Sequence, residues 1–329
     1  AVVQSSSATT VMVVSFVNSG LMTLLQSTGV ILGANIGTTV TSQLIAFNLS
    51  EVAPLFVMLG VIMVMFCKKS GVKRAGEVVL GFGILFMGLS GMSSAMSTLK
   101  ESPYIVDILS SLDNAYMGVL VGFIVTAVLQ SSSATVGIVL LMASQGLLEY
   151  SICFFLILGC NMGSCVSALL ASLGGKKDAK RAAWIHFLFN IIGSAIIFIV
   201  LTFALTPISD AILGLSDGNV ARGVANAHTL IKIVEVIMLF PFMGFVVKLT
   251  YKLVPGKDRD AEEDFALKYI GNSNVVVPNT AISTAILEIE HMGQMASENL
   301  KDSMDALCNK KEERIATVYR REKYINFLN

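Results

Sequence analysis

The sequence predicts an all-α membrane protein. We expect a polytopic helical bundle with two inverted repeats that contain broken or re-entrant helices, followed by a cytoplasmic helical tail. Of the 329 residues, 54% are hydrophobic and only 14% are charged, whereas soluble domains carry about 25% charged residues. Residues 1–254 hold 23 of the 46 charges, and residues 1–50 hold none. A block of sequence also recurs within the chain at a constant offset of 126 residues.

Six apolar stretches are candidates for membrane spans, because a transmembrane helix needs about 20 mostly apolar residues. Two of the six are interrupted by Gly, Ser, Thr, Gln and Asn. Irregular backbone at membrane depth is tolerated only where protein buries it or where it lines a watery cavity, so we expect function there. The uninterrupted stretches are Val52–Cys67, Val78–Met96, Ala183–Leu205 and Val224–Val247, and the interrupted ones are Val2–Asn48 and Tyr116–Leu173.

The two interrupted stretches are copies of each other. The sequence QSSSAT at 4–9 recurs at 130–135, and GANIGT at 33–38 aligns without a gap to GCNMGS at 159–164. Over residues 4–42, 15 of 39 positions are identical, and most shared residues are polar or glycine. We therefore predict a transport domain at 1–254, with repeat 1 at about 1–67, repeat 2 at about 76–206 and a further helix at 222–248. A weaker similarity at an offset of 42 relates residues 183–186 to 225–228.

Two clusters of basic residues predict the orientation. One cluster lies at 68–74 and the other at 176–181, and the positive-inside rule places both, with the tail, in the cytoplasm. One span separates the first cluster from Asn48, so copy 1 ends outside, whereas copy 2 ends inside at Gly174. Equivalent points lie on opposite faces, as in secondary transporters whose sites lie at the midplane between broken helices. We expect a multi-pass protein of the inner cell membrane.

The last part of the chain has a different character. Residues 255–279 read as a charged linker, and residues 280–329 as a helical region. From Ile282 to Leu307 apolar residues recur every three or four positions, which predicts an amphipathic helix with Asn279 or Thr280 as its N-cap. Since one amphipathic helix cannot bury its apolar stripe alone, we expect a helical partner for the tail.

The repeated serine motif has chemistry suited to small ions. Hydroxyl and carbonyl oxygens are suitable ligands for Na+, whereas hydroxyls, backbone N–H groups and a helix N-terminus bind oxyanions. Close packing of membrane helices through small residues would explain one serine-rich run. Two copies, each matched by an Asn-Gly break, favour an ion-binding site.

These motifs resemble the type II sodium/phosphate cotransporter family, and the tail resembles the start of the PhoU-like helical domain fused to bacterial members. The resemblance covers nearly the whole chain. It implies a secondary transporter, not an enzyme, that imports inorganic phosphate by alternating access and uses Na+ as coupling ion, with no other cofactor. Ser, Thr and Asn oxygens and backbone carbonyls would hold the sodium. The implied phosphate and sodium site residues are Gln4, Ser5, Ser6, Ser7, Asn35, Thr38, Thr39, Gln130, Ser131, Ser132, Ser133, Asn161 and Ser164.

Lys232 and Glu235 are two further candidates, as modulators of transport. The pattern HFLFN at 186–190 returns as HTLIK at 228–232, so Lys232 replaces an asparagine. About ten residues into its helix, Lys232 lies roughly 15 Å deep, where ionisable groups are costly and usually functional or paired. Glu235 lies on the same helical face. The two residues form either an intrahelical pair turned toward the bundle or a site where the lysine replaces a bound cation.

Two alternative functions remain open. The first is a sodium-coupled carrier of another small oxyanion or a dicarboxylate, which the absence of Arg near the motifs disfavours. The second is a membrane phosphate sensor with the tail as its output. The expected partners are phosphate, sodium and the lipid bilayer, and a homo-oligomer is compatible with the sequence. A net charge of zero gives no field that would attract nucleic acid.

Overall fold

The computed structural model describes residues 2–47, 49–102, 114–256, 267–269, 278–309, 311 and 313–328. These residues are helical or irregular, with no strand among them. The chain divides into two compact units, Ala1–Gly256 and Lys257–Asn329. Within the described residues, five helical segments are long and apolar enough to cross a bilayer: Leu24–Ala46, Ser70–Thr98, Tyr150–Ser172, Lys177–Leu215 and Val220–Leu253. The predicted class, an all-α membrane protein, is confirmed.

The first unit contains the helices of both repeats and those that connect them. Copy 1 contributes α1 (Ser6–Asn18), α2 (Leu24–Gly37) and α3 (Thr39–Ala46), which are followed by α4 (Ala53–Phe66) and α5 (Ser70–Lys100). After α6 (Ala115–Leu129), copy 2 contributes α7 (Ser132–Ser144), α8 (Tyr150–Gly163) and α9 (Cys165–Ser172). The unit ends with α10 (Lys177–Leu215), α11 (Val220–Leu239), a short 3-10 turn (Phe240–Phe242) and α12 (Met243–Leu253).

The sequence repeat is also a repeat of structure. Helices α7, α8 and α9 begin and end 126 residues after α1, α2 and α3. The helices of each copy are interrupted by one residue at equivalent positions, Thr38 between α2 and α3 and Ser164 between α8 and α9, and both residues keep φ and ψ in the right-handed helical region. Equivalent glycines with positive φ, Gly20 at 75° and Gly146 at 71°, form the turns that follow α1 and α7. Both copies therefore share one backbone design.

Helices α10 and α11 extend this relation. Helix α10 packs against α1 and α9, whereas α11 packs against α7 and α3. Exchanging the two copies turns one set of contacts into the other, so α10 and α11 are counterparts, as the weak similarity at an offset of 42 indicates. Such reciprocal contacts are those of a two-fold relation. The inversion of the copies across the bilayer stays a prediction.

The helix predicted at 222–248 is broken in the structure. Helix α11 ends at Leu239, and the 3-10 turn that contains Pro241 separates it from α12. Proline lacks a backbone N–H and clashes with the preceding turn, so it interrupts an α-helix. Within α10, Ala204 departs from helical φ and ψ three residues before Pro207, and the same effect accounts for this kink.

The second unit contains α13 (Pro278–Asn309) and α14 (Glu313–Leu328). Helix α13 begins at Pro278, before both predicted caps, so Asn279 and Thr280 lie in its first turn. Proline is favoured at the first helical position because the N–H that it lacks would have no partner there. Helices α13 and α14 contact each other through salt bridges, and the helical partner expected for the apolar stripe of α13 stays a prediction. Most of the predicted linker, 255–279, lies outside the described residues.

Candidate functional site

Each serine motif begins with the same strained backbone. Gln4 and Gln130 have φ of 50° and 54°, in the left-handed region, which costs a residue with a side chain roughly 1–2 kcal/mol. The following serines are extended and act as N-caps: Ser5 and Ser131 each accept a hydrogen bond from the backbone N–H three residues on. Strain of this kind persists only where the surrounding structure enforces it, and it concentrates at functional sites.

Two helix N-termini follow these caps. The first turn of a helix leaves backbone N–H groups without an intrahelical partner, and the aligned peptide dipoles place about half a positive charge there. The first residues of α1 and α7 are Ser6 and Ser132, which are almost fully buried at 3% and 6% exposure. Hydroxyl and N–H donors of both copies are thus available close to one another.

The two motifs line one cavity of about 340 Å³. Helix α5 closes part of its wall, and none of the described lining residues carries an ionised side chain. An anion in this cavity would be held by neutral donors and helix ends alone. The lining residues are Gln4, Ser5, Ser6, Ser7, Thr38, Thr41, Gly81, Leu85, Ser131, Ser132 and Ser133.

The serine motif of each copy contacts the helix break of the other copy. The Ser7 hydroxyl donates to the Ser164 carbonyl oxygen at 3.1 Å. The Thr38 and Ser133 hydroxyl oxygens are 3.2 Å apart. Because Ser164 is the counterpart of Thr38, and Ser133 that of Ser7, the two contacts exchange under the two-fold relation. The pairing of the copies thus fixes the position of both motifs.

Five of the predicted site residues do not line this cavity. Gln130 is the C-cap of α6, and its backbone N–H donates to the Thr126 carbonyl oxygen. The Thr39 hydroxyl donates to the Ile36 carbonyl oxygen at 2.8 Å, so it joins the start of α3 to the end of α2. Asn161 is buried, and its amide nitrogen has no hydrogen-bond partner in the part of the chain that the structure describes. Ser164 contributes its carbonyl to the contact with Ser7, and Asn35 takes part in a second polar cluster.

Thr41 belongs to the site although the motifs do not include it. Its hydroxyl donates to the Gln4 side-chain oxygen at 3.0 Å and lines the cavity. Thr41 follows Thr38 by three residues, so helical periodicity places both on one face. That spacing was the available signal in the sequence.

The second polar cluster surrounds the Lys232 ammonium. Lys232 and Glu235 are 1% and 0% exposed. The Nζ atom donates to Asn35 Oδ1 at 3.1 Å, to Asn190 Oδ1 at 2.5 Å and to Glu235 Oε2 at 3.1 Å. An ammonium has three donors, and each has an oxygen here. Because Asn35 lies three residues before Thr38, the cluster is about one helical turn from the serine cavity.

Two histidines lie one turn away on α10 and α11. His186 and His228 are fully buried and precede Asn190 and Lys232 by four residues. The His228 Nδ1 atom is 3.0 Å from the Ser42 hydroxyl oxygen. Within the described residues, the other His228 nitrogen and both nitrogens of His186 have no hydrogen-bond partner, whereas buried polar atoms normally have a protein or water partner.

A family model described as Na+/Pi-cotransporter matches residues 1–94 and 105–221, more than half of the chain. The chain belongs to the Na+/Pi-cotransporter family. This is a family of transporters, not of enzymes. The match includes both serine motifs and α10, and it ends before Lys232.

Three proteins illustrate how the chain relates to other sequences. It is 28% identical to the uncharacterized protein YqeW of Bacillus subtilis over 78% of this chain and 82% of that protein. It is 27% identical to the putative inorganic phosphate export protein YjbB of Salmonella typhimurium, over 92% of this chain and 56% of that protein. It is 30% identical to the sodium-dependent phosphate transport protein 2A of Rattus norvegicus, over 54% of this chain and 28% of that protein. The chain thus spans about half of YjbB. No solved structure matches it.

Proposed function

We propose that the protein transports inorganic phosphate together with Na+ and binds the phosphate between the two serine motifs. The observation that carries this proposal is the convergence of both motifs and two helix N-termini on one cavity. The names of YjbB and of transport protein 2A both refer to phosphate, which supports the choice of anion.

The lack of fixed charge in the cavity explains why a cation would be needed. An anion buried at low dielectric is costly unless it is paired, and the described lining supplies only neutral groups. We infer that Na+ binds beside the phosphate through hydroxyl and amide oxygens such as those of Thr41 and Gln4. Transport is coupled when neither ion binds well without the other.

The direction of transport follows from the ion gradients. An inward sodium gradient drives import, which is the direction that we propose for this chain. YjbB carries a name that refers to export, and a symporter moves its cargo outward when the combined gradient reverses. Uptake into proteoliposomes, measured under gradients of either sign, tests the direction directly.

The serine hydroxyls provide the sharpest test of the site. Ser6→Ala and Ser132→Ala should each weaken phosphate affinity about ten- to a hundredfold, since a hydrogen bond to a charged group contributes roughly 1.5–3 kcal/mol. Radiolabelled phosphate uptake at limiting phosphate, with NaCl or choline chloride outside, measures the effect. Ser15→Ala is the matched control, because its exposed hydroxyl bonds only within α1.

Four results would contradict the proposal in different ways. Normal uptake by both serine variants would move the binding site elsewhere. Equal uptake in NaCl and choline chloride would remove the sodium coupling. Phosphate binding without flux would indicate a sensor, and stronger competition by another oxyanion or a dicarboxylate would change the cargo.

A further inference from the structure

The Lys232 cluster lies on the two-fold axis that relates the two copies. Helices α10 and α11 are counterparts at an offset of 42, so Asn190 corresponds to Lys232 and Gly193 to Glu235. Asn190 bonds directly to Lys232. A Cβ atom added to Gly193 would lie 2.9 Å from the Cγ atom of Glu235. Since a residue touches its own counterpart only near the axis of a two-fold relation, both pairs lie at the axis.

The oxygens around Lys232 are held in place by their own helices. The Asn35 amide nitrogen donates to the Ile31 carbonyl oxygen at 2.9 Å, and that of Asn190 donates to the His186 carbonyl oxygen, also at 2.9 Å. Each amide therefore directs its oxygen, and not its nitrogen, toward the ammonium. The third oxygen belongs to Glu235, whose other carboxylate oxygen is 3.4 Å from the Ser194 hydroxyl.

The arrangement has the composition of a site for a small cation. Two neutral carbonyl-type oxygens and one carboxylate oxygen converge from α2, α10 and α11 on one point. Oxygens of these kinds replace the hydration shell of monovalent cations in membrane proteins. A lysine ammonium carries the same charge, and here it occupies that point through its own side chain.

We propose that Lys232 acts as a tethered cation, which fills a monovalent-cation site formed by Asn35, Asn190 and Glu235. The wild type then supplies the positive charge of this site through its own lysine, whereas a variant without the lysine must bind a cation from solution. Removing the ammonium leaves a buried carboxylate and two directed oxygens, and Na+ binds there. The transport part of this inference depends on the proposed function, but the cation site does not.

The test uses the purified full chain in detergent. The unfolding temperature is measured in NaCl and in choline chloride at equal ionic strength for the wild type, Lys232→Asn and the double variant Lys232→Asn/Glu235→Gln. Replacing choline with sodium should raise the unfolding temperature of Lys232→Asn by several degrees more than that of the wild type, since a ligand that binds only the folded state stabilises it. The double variant, which lacks both charges, should lose this gain.

Transport gives a second readout. In proteoliposomes, phosphate uptake by Lys232→Asn should depend more steeply on sodium, with a Hill coefficient higher by about one, while selectivity for phosphate is retained. Absence of phosphate flux in every variant would refute the proposed function and leave the unfolding test intact.

The remaining outcomes overturn the inference. If sodium raises the unfolding temperatures of the wild type and of Lys232→Asn equally, the substitution has not created a sodium site. A gain that persists in the double variant shows that Glu235 is not a ligand. Failure to recover folded Lys232→Asn in either salt identifies a structural ion pair, because Na+ should restore a vacant oxygen site. Removing one partner of such a pair is strongly destabilising.

Discussion

At the residue scale, the first residue of each serine motif adopts a backbone conformation that is energetically costly for any residue with a side chain. Gln4 and Gln130 both adopt left-handed φ although neither is glycine. The side chain of Gln4 lines the cavity, whereas that of Gln130 does not. The same conformation in both copies turns the chain abruptly, so that the N-termini of α1 and α7 face one cavity.

Substitution of Gln130 separates this backbone strain from side-chain contacts. Gln130→Gly should be more stable than Gln130→Ala by about 1 kcal/mol, because only glycine adopts this conformation at little cost. Unfolding temperatures in detergent measure the difference. Met12 is an exposed residue within α1. There Met12→Ala should be more stable than Met12→Gly, since alanine is favoured over glycine in a helix. The same order at both positions would argue against strain at Gln130.

The sequence predicts the composition of the site better than its contacts. The serine motifs and Thr38 are recognisable because the duplication preserves polar residues among apolar ones. The contact of Lys232 with Asn35 joins residues 197 positions apart, and it depends on how α2 packs against α11. No local pattern encodes that packing, so the sequence left two interpretations of the lysine open.

At the scale of elements, α6 and α8 approach so closely that their backbones nearly touch. A Cβ atom at Gly159 would lie 2.1 Å from the Val119 carbonyl oxygen, and one at Gly122 would lie 2.2 Å from that of Leu156. Small residues allow membrane helices to pack in this way. Helix α8 is buried along most of its length and leads directly to the break at Ser164, so this contact supports the site.

Enlarging one of these glycines should separate the helices. Gly159→Ala is expected to destabilise the protein by roughly 1–3 kcal/mol, the usual cost of overpacking. The expected result is a lower unfolding temperature in detergent. Gly88→Ala on α5 serves as control, because a Cβ atom there meets no atom within 4 Å. Equal unfolding temperatures for the two variants would show that α6 and α8 can separate without cost.

The contact between α13 and α14 should depend on pH. Asp302 accepts hydrogen bonds from Arg321 and Arg314, both at 2.7 Å, and the hydrogen bond from Arg321 holds the pKa of that carboxyl below its usual range. A lowered folded-state pKa means that the contribution is present above the ordinary aspartate pKa of about 3.9. It is lost as pH falls further, through the folded-state pKa.

Hydrogen exchange on the full chain measures this effect. In the wild type, the protection factors of amides in α14 should decrease when the pH is lowered below the ordinary aspartate pKa. In Asp302→Asn they should be lower at neutral pH and should change less on acidification. A wild-type profile identical to that of Asp302→Asn would mean that these salt bridges do not hold the two helices together.

At the scale of the whole molecule, the structure contains the duplicated unit. The orientation of the two copies in the membrane can be tested by labelling single cysteines from either side. Single cysteines are placed by Glu51→Cys, Lys69→Cys and Gly174→Cys, all at exposed positions. We expect Lys69→Cys and Gly174→Cys to react from the cytoplasmic side and Glu51→Cys from the outside. The background lacks the native Cys67, Cys153, Cys160, Cys165 and Cys308. Reaction of Glu51→Cys and Gly174→Cys from one side would refute the inverted arrangement.

The overall plan is accessible from sequence because hydropathy and repetition are global properties. The division into copies follows from the constant offset, and the helical class follows from the apolar stretches. The break at Pro241 and the start of α13 at Pro278 were missed, since a proline ends a helix in one context and begins it in another.

The position of Lys232 on the axis has a consequence for how charge can be arranged there. In a dimer of two identical chains, every residue on the two-fold axis faces a copy of itself. A lysine there would meet a lysine, and a glutamate would meet a glutamate, and like charges in contact within a buried site oppose each other's ionisation. Within a single chain the two counterpart positions can differ, and here α10 has Asn190 and Gly193 where α11 has Lys232 and Glu235. The chain can therefore place one positive and one negative charge at the axis, whereas a dimer of identical chains would place two of each.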